Sequence, residues 1–108
     1  QKPSESSARI RERVNKARRV QQERFASAHL INCNAQMGSR QIEKFCPLDQ
    51  QGKGLLNTAI DRLGLSARAY HRIIKIARTI ADLAGAEKID ATHVAEAVQY
   101  RRQQFDAG

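Results

Sequence analysis

The sequence predicts an all-α protein, a small bundle of about four main helices plus one short helix. Apolar residues recur at helical spacing in four segments, and capping residues with short connections separate these segments. No segment shows the alternation of apolar and polar residues that is typical of a strand. The 108 residues are enough for one hydrophobic core. We therefore expect one domain over residues 7–108, with a polar linker at 1–6.

The first half of the chain predicts one long and one short helix. The long helix runs from about Ser7 to Phe25, and Gln21 interrupts its apolar stripe. That stripe consists of Ile10, Val14, Ala17, Val20 and Phe25. Segment 26–38 is rich in Asn and small residues, which indicates a loop with one helical turn. Ser39 is the expected N-cap of the short helix, which ends before Pro47.

The second half predicts three helices with marked ends. Asp49 caps the first of them and Gly64 ends it, because glycine readily adopts the left-handed conformation that follows a helix. Ser66 caps the next helix, which ends at Gly85, and Asp90 caps the last one. Val94, Ala97 and Val98 of the last helix are expected to point inward. The apolar residues at helical spacing in the other two helices are Leu55, Leu56, Ala59, Ile60 and Leu63, then Ala69, Ile73, Ile76, Ala77, Ile80, Leu83 and Ala84.

Positive charge is concentrated in the first half. The net charge is +8, with eleven Lys and Arg against five Asp and Glu in residues 1–54, and eight against six in residues 55–108. This surplus predicts an anionic partner, such as nucleic acid, a nucleotide phosphate or an acidic protein face, or else a well-solvated helix surface. The candidate partner or DNA surface on the first helix consists of Arg11, Arg18 and Arg19. The basic residues surround the helix, which argues against its insertion into a DNA groove.

Several function classes lack their sequence signals. No stretch approaches the roughly 18 apolar residues of a membrane span and no signal peptide is visible, so we expect a cytoplasmic protein. Cys33 and Cys46 lie outside any CxxC pattern and are expected to be free thiols. The three histidines have no second ligand at helical spacing, so we predict no metal site. Segment 52–54, Gly-Lys-Gly, lacks the phosphate-loop pattern. We find no catalytic residues in this chain.

The penultimate helix begins with an unusual row of positive charges. Arg68, Arg72 and Lys75 lie on one face, and cations near a helix N-terminus are disfavoured by roughly a few tenths of a kcal/mol each. A phosphate or other anion near this helix start would bind the free N–H groups and the arginines. Alternatively, Arg68 pairs with Asp61 or Glu96. Local chemistry leaves both interpretations open.

The same region carries a family resemblance. The sequence closely resembles the C-terminal region of magnesium-chelatase-like AAA+ ATPases in the segment LSARAYHRIIKIARTIADLAG and in the following HVAEAVQYR. Within that family it is most similar to the bacterial competence-protein subgroup. The upstream segments RVNKARRVQQERF, NAQM and LLNTAIDRLGLSARA fit that region in the same order. The resemblance covers nearly the whole chain from about Ser4 onward.

The resemblance implies a helical lid that packs against an α/β nucleotide-binding domain outside these residues. It implies that Arg68 is the sensor-2 residue, which reaches the terminal phosphates of ATP, and that Arg72 has a supporting role. The Walker A and Walker B motifs and the arginine finger are not in this sequence, so the lid alone is not expected to hydrolyse ATP. The first residue, Gln1, and the single methionine, Met37, fit a piece excised from a longer protein.

For the longer protein, the resemblance implies an ATPase that uses ATP and Mg²⁺. It also implies a ring, hexameric in this family, in which the lid contacts the neighbouring subunit, and action on DNA during recombination, such as branch migration. Two other classes stay open from the charge pattern. One is an autonomous DNA-binding module built on the basic first helix, and the other is an oligomer-assembly domain whose basic helix meets an acidic surface.

Overall fold

A computed structural model describes residues 6–27 and 31–107, with side chains through residue 101. This part of the chain forms five α-helices and no extended strand, as the sequence predicts; Leu48 and Ile89 form one isolated parallel bridge. The helices are α1 (Ser7–Arg24), α2 (Ser39–Phe45), α3 (Gln50–Leu63), α4 (Ala67–Leu83) and α5 (Ala91–Ala107), and a short 3₁₀ turn (Asn34–Gln36) precedes α2. Four long helices and a short one confirm the predicted fold class.

Most helix ends lie where the capping residues predict them. The side chains of Asp49 and Ser66 accept hydrogen bonds from the backbone N–H three residues further on, at 2.7 and 3.2 Å. Gly64 and Gly85 have φ angles of 60° and 74°, the left-handed conformation that stops α3 and α4. The carboxylate of Asp90 accepts hydrogen bonds from the first turn of α5. These ends follow from local chemistry alone.

Two predictions for the helix starts need correction or refinement. The N-cap of α2 is Gly38, and Ser39 is already the first helical residue. The side chain of Gln41 accepts a hydrogen bond from the Gly38 N–H at 3.0 Å, which satisfies a donor before the helix starts. Ser6, assigned to the predicted linker, caps α1 by accepting from the Arg9 N–H at 3.2 Å. The rest of that linker and His29 lie outside the described residues.

The apolar stripe predicted for α1 is wrong at two positions. Ile10 and Val20 remain 44% and 37% exposed, whereas Ala17 is buried. Helix α1 packs against α4, and both Ile10 and Val20 lie outside the part of its surface that is buried. Gln21, which interrupts the apolar pattern, instead faces the 3₁₀ turn and accepts a hydrogen bond from the backbone N–H of Asn34 at 3.0 Å.

Helix α4 is the centre of the bundle. It packs against α1, α2, α5 and the 3₁₀ turn, while α3 packs against α5. Six of its residues are buried: Ile73, Ile74, Ala77, Arg78, Ala81 and Asp82. The other buried apolar residues come from every other α-helix and from the connections. Because α4 is enclosed on several sides, the direction of its N-terminal half, which carries the exposed Arg68 and Arg72, is fixed by the whole bundle.

Helix α3 approaches the α4–α5 connection closely at Gly52. A Cβ atom built there would lie 2.9 Å from the carbonyl oxygen of Ile89, which is backbone and cannot rotate away. A Cβ atom at Gly54, two residues further on, would meet nothing within 4 Å. The two glycines of the Gly-Lys-Gly segment therefore have different roles. Gly52 allows the two segments to pack, whereas Gly54 only lowers the helix propensity of α3.

Alanine substitution should separate these two glycines. We expect Gly52→Ala to lower the free energy of unfolding by about 1–3 kcal/mol, because the new methyl group displaces the backbone at Ile89. Gly54→Ala should raise it by roughly 0.5–1 kcal/mol, because alanine loses less backbone entropy in a helix. Urea unfolding of both variants measures the difference. Equal effects of the two substitutions would contradict the close approach at Gly52.

Candidate anion-binding groove

An open groove of about 1120 Å³ lies along α4, with residues of the 3₁₀ turn, α2 and α5 in its walls. Its apolar lining includes Met37 and Ile42, which are buried, and Ile76 and Ile80, which are half-buried. The remaining lining residues are Ala35, Gly38, Ser39, Arg68, His71, Arg72, Lys75, Thr79, Glu96, Gln99 and Tyr100. The groove thus combines an apolar portion with a row of cations.

The structure places both arginines predicted from the sequence in this groove. Arg68 and Arg72 are exposed on the first two turns of α4, and Lys75 follows one turn later. Among the described residues that line the groove, Glu96 is the one carboxylate. Among the described side chains, Arg68 forms no salt bridge with Asp61 or Glu96, the two partners that the sequence left open. The local electrostatics of the groove therefore favour an anion.

The three arginines predicted on α1 lie elsewhere. Arg11, Arg18 and Arg19 are all exposed, and none of them lines the groove. At 100° per residue, Arg11 and Arg18 share one side of α1, whereas Arg19 lies about 100° away. The structure thus separates the predicted site residues into two groups, one in the groove of α4 and one on the solvent side of α1.

A buried polar cluster holds α1, the 3₁₀ turn and α4 together. The carboxylate of Asp82 accepts two hydrogen bonds from the guanidinium of Arg24, at 2.8 and 2.7 Å. It also accepts one from the amide of Asn34 at 2.8 Å and lies 3.1 Å from Arg78. Asn34 is 1% exposed, donates to Thr79 at 3.1 Å and accepts from Arg24 at 2.8 Å. Its side-chain hydrogen-bonding capacity is largely used within the protein.

Arg78 connects this cluster to the end of α2 and to the α4–α5 connection. Its guanidinium donates to the carbonyl oxygens of Phe45, Ala86 and Glu87, at 3.2, 2.7 and 2.9 Å. Burial lowers the pKa of Arg78, and the nearby carboxylate of Asp82 opposes that effect. Its Nε atom is buried without a hydrogen-bond partner. Arg78 therefore fixes the end of α2 and the α4–α5 connection to α4 through main-chain atoms.

Both cysteines are free thiols, as predicted, and Cys46 lacks the properties of a reactive nucleophile. Burial raises the pKa of Cys46 to about 11, so its thiol is protonated at neutral pH. Its sulfur lies 3.9 Å from the sulfur of Met37 in the core. Cys33 is partly buried in the loop before the 3₁₀ turn.

Among the described residues, no group of three or more His, Cys, Asp or Glu side chains is arranged to hold a metal ion. Over the same part of the chain, no helix combines the length and the apolar character that crossing a bilayer requires.

Sequence reasoning missed the polar cluster. Arg78 and Asp82 lie one turn apart on α4, next to the buried residues Ala77 and Ala81. Two opposite charges beside the apolar positions of a helix indicate a buried ion pair, and this signal was present in the sequence. Nothing local indicated that Arg24 and Asn34 would reach Asp82, because they are separated from it by 58 and 48 residues.

Together, the fold and the groove define a small helical domain with a row of cations along its central helix. The chain belongs to the family described as magnesium chelatase, subunit ChlI C-terminal, which matches residues 4–101. It is 46% identical over 97 residues to competence protein ComM of Haemophilus influenzae, a match that covers 90% of this chain and 18% of that protein.

Two further relatives are called uncharacterized proteins. YifB of Escherichia coli is 40% identical over 99 residues, which are 92% of this chain and 19% of that protein. Rv2897c of Mycobacterium tuberculosis is 31% identical over 98 residues, which are 91% of this chain and 19% of that protein. The chain therefore spans less than a fifth of the length of each of these relatives.

The polar cluster can be tested with an isosteric change. Asn34→Asp replaces the amide that donates to Asp82 with a second buried carboxylate, so we expect the free energy of unfolding at pH 7 to fall by about 3 kcal/mol or more. Asn32→Asp is the matched control, because Asn32 is exposed in the same loop. Thermal and urea unfolding would measure both. A similar, small effect of the two substitutions would contradict the assigned role of Asn34.

Proposed function

We propose that this chain is the C-terminal helical lid of an AAA+ ATPase and that Arg68 is its sensor-2 residue. Membership of the magnesium chelatase C-terminal family supports the lid assignment. The observation that carries the proposal is the position of Arg68, which is exposed in the groove on the first turn of α4 and has no salt bridge to Asp61 or Glu96. A terminal phosphate of ATP, bound in the preceding α/β domain, would be its partner.

The geometry suits a phosphate contact. A guanidinium can bind phosphate oxygens through two parallel hydrogen bonds, and Arg72, one turn further along α4, adds a second positive charge. The groove presents cations, which bind phosphate oxygens and repel a metal ion. In this proposal the Mg²⁺ that accompanies ATP is therefore held by the α/β domain, together with the Walker A and Walker B motifs.

The lid would convert the state of the nucleotide into movement. Arg68 holds α4 against the phosphate, and the contact is lost when that phosphate leaves, so the lid rotates about its connection to the α/β domain. The same positive charge stabilises the negative charge that develops during phosphoryl transfer. We propose that the full-length protein forms a hexameric ring in the cytoplasm. Rotation of one lid would move the neighbouring subunit, and the ring would use this movement to act on DNA during recombination.

The test is steady-state ATP hydrolysis by the full-length protein, with and without DNA. We expect Arg68→Ala to lower turnover by about 10- to 100-fold, because hydrogen bonds to charged groups contribute roughly 1.5–3 kcal/mol. Arg62→Ala is the matched control, because Arg62 is an exposed arginine at the end of α3 outside the groove lining.

Both variants must be compared at equal folding, measured by circular dichroism and thermal unfolding. A loss of turnover confined to Arg68→Ala supports the sensor-2 assignment. Unchanged kinetics for a folded Arg68→Ala protein would contradict the sensor-2 assignment, because loss of a residue that contacts the reacting phosphate must lower the rate of ATP turnover.

A second function, direct binding of DNA or of an acidic surface on a neighbouring subunit, is favoured by the exposure of Arg11, Arg18 and Arg19. Reversal of charge at Arg18 and Arg19 should then weaken DNA binding by the full-length protein and flatten its dependence on salt, because fewer counterions are released. Fluorescence anisotropy at several salt concentrations measures this. A lower oligomer mass in light scattering, with DNA binding unchanged, would assign these arginines to assembly instead.

A further inference from the structure

Helix α4 carries one continuous polar stripe. Its members are spaced by three or four residues, so they follow one side of the helix. They are Arg68, Arg72, Lys75, Thr79 and Asp82. Arg68 and Arg72 are exposed, Lys75 and Thr79 are half-buried, and Asp82 is buried. The stripe thus runs from the solvent into the core of the bundle.

The buried half of this stripe is occupied by the chain itself. Asn34 donates hydrogen bonds to Thr79 and Asp82, at 3.1 and 2.8 Å. In the next turn of α4, the ammonium group of Lys75 donates to the carbonyl oxygen of Ala35 at 3.2 Å. The 3₁₀ turn therefore covers the stripe from Asp82 as far as Lys75. Beyond that point the stripe lines the groove.

Lys75 stands at the boundary between the two halves. A lysine ammonium group has three N–H donors, and Lys75 uses one of them for the carbonyl oxygen of Ala35. The side chain is half-buried and held by this hydrogen bond, so less conformational entropy is lost when it binds a further acceptor. Lys75 is thus a partly ordered cation in the groove, and its remaining N–H groups can donate to a further acceptor.

Its position differs from that of Arg68. The two residues are separated by seven positions on α4, which corresponds to about 10 Å along the helix axis. Lys75 also lies next to Ile76 and one turn from the half-buried Thr79, towards the apolar part of the groove. Because the Lys75 ammonium group is held at the carbonyl oxygen of Ala35, Arg68 and Lys75 are placed to contact two anionic groups, or two parts of one extended anion.

We infer that Lys75 is a second phosphate-binding residue of the groove, held in place by the carbonyl oxygen of Ala35. The inference rests on the proposed function, which makes the groove a phosphate site, and adds a contact that Arg68 does not supply. Two sources offer the same chemistry, namely a phosphate of the bound nucleotide nearer to the nucleoside, and a phosphate of a nucleic-acid backbone.

The test uses the full-length protein and three probes: ADP, ATP and a single-stranded oligonucleotide. Dissociation constants are measured by calorimetry or anisotropy for wild type, Lys75→Gln and Lys75→Arg. Lys53→Gln is the matched control, because Lys53 is an exposed lysine on α3 outside the groove. We expect Lys75→Gln to weaken binding by about tenfold, Lys75→Arg to retain most of it, and Lys53→Gln to change little.

The probes separate the two sources. Similar weakening for ADP and ATP assigns the phosphate to the nucleotide and distinguishes Lys75 from Arg68, whose loss should affect ATP more than ADP. Weakening for the oligonucleotide alone assigns it to nucleic acid. Unchanged affinity for all three probes in a folded Lys75→Gln protein would overturn the inference. The proposed function would still stand if Arg68→Ala lowers turnover in the same protein, and would fall separately if it does not.

Discussion

The arrangement of this domain depends on one requirement, which is that the buried carboxylate of Asp82 must be surrounded by hydrogen-bond donors. A buried carboxylate is strongly unfavourable unless charged and neutral donors surround it, and Arg24, Asn34 and Arg78 supply them. These donors belong to α1, to the 3₁₀ turn and to α4 itself. Since all of them must reach the same two oxygen atoms, the cluster fixes how α1 crosses α4 and where the turn lies. Apolar packing alone would specify these positions less sharply.

The polar cluster around Asp82 also positions the 3₁₀ turn that forms one wall of the groove. Asn34 is held by Thr79 and Asp82, and Met37, three residues later, is buried in the core and lines the groove. Because the turn is anchored on α4, it stops at the level of Lys75 and leaves Arg68 and Arg72, on the first two turns of the helix, exposed. The cations on those turns repel one another and oppose the helix dipole, so they weaken α4 locally. The buried half of α4, which packs on three other helices, maintains the helix despite this unfavourable end.

The parts that the sequence predicted are those that depend on neighbouring residues. The caps at Asp49 and Ser66 and the stops at Gly64 and Gly85 require only a few residues around them. The sequence singled out Arg68 and Arg72 because their charge conflicts with their place in the helix, and their role in binding an anion stays a prediction. By contrast, the inward stripe of α1 was wrong at Ile10 and Val20, because the length of the contact with α4 is decided by the tertiary structure. The salt bridge between Arg24 and Asp82 could not be predicted either, since helical periodicity carries no information about partners that are distant in the sequence.

The two ends of α4 have opposite physical characters, and this division bears on how the domain would transmit a signal. Asp82 is buried and bound to other elements, whereas Arg68, about 21 Å away along the helix axis, is exposed and in contact with the groove. Under the proposed function, α4 would move as a rigid body because it is packed on several sides, and a displacement at Arg68 would reach Asp82 and, through Arg24, α1. The basic surface of α1 would then move with the groove although it shares no lining residue with it. The buried polar cluster connects α1 to α4 directly, so this proposal assigns the connection to the cluster.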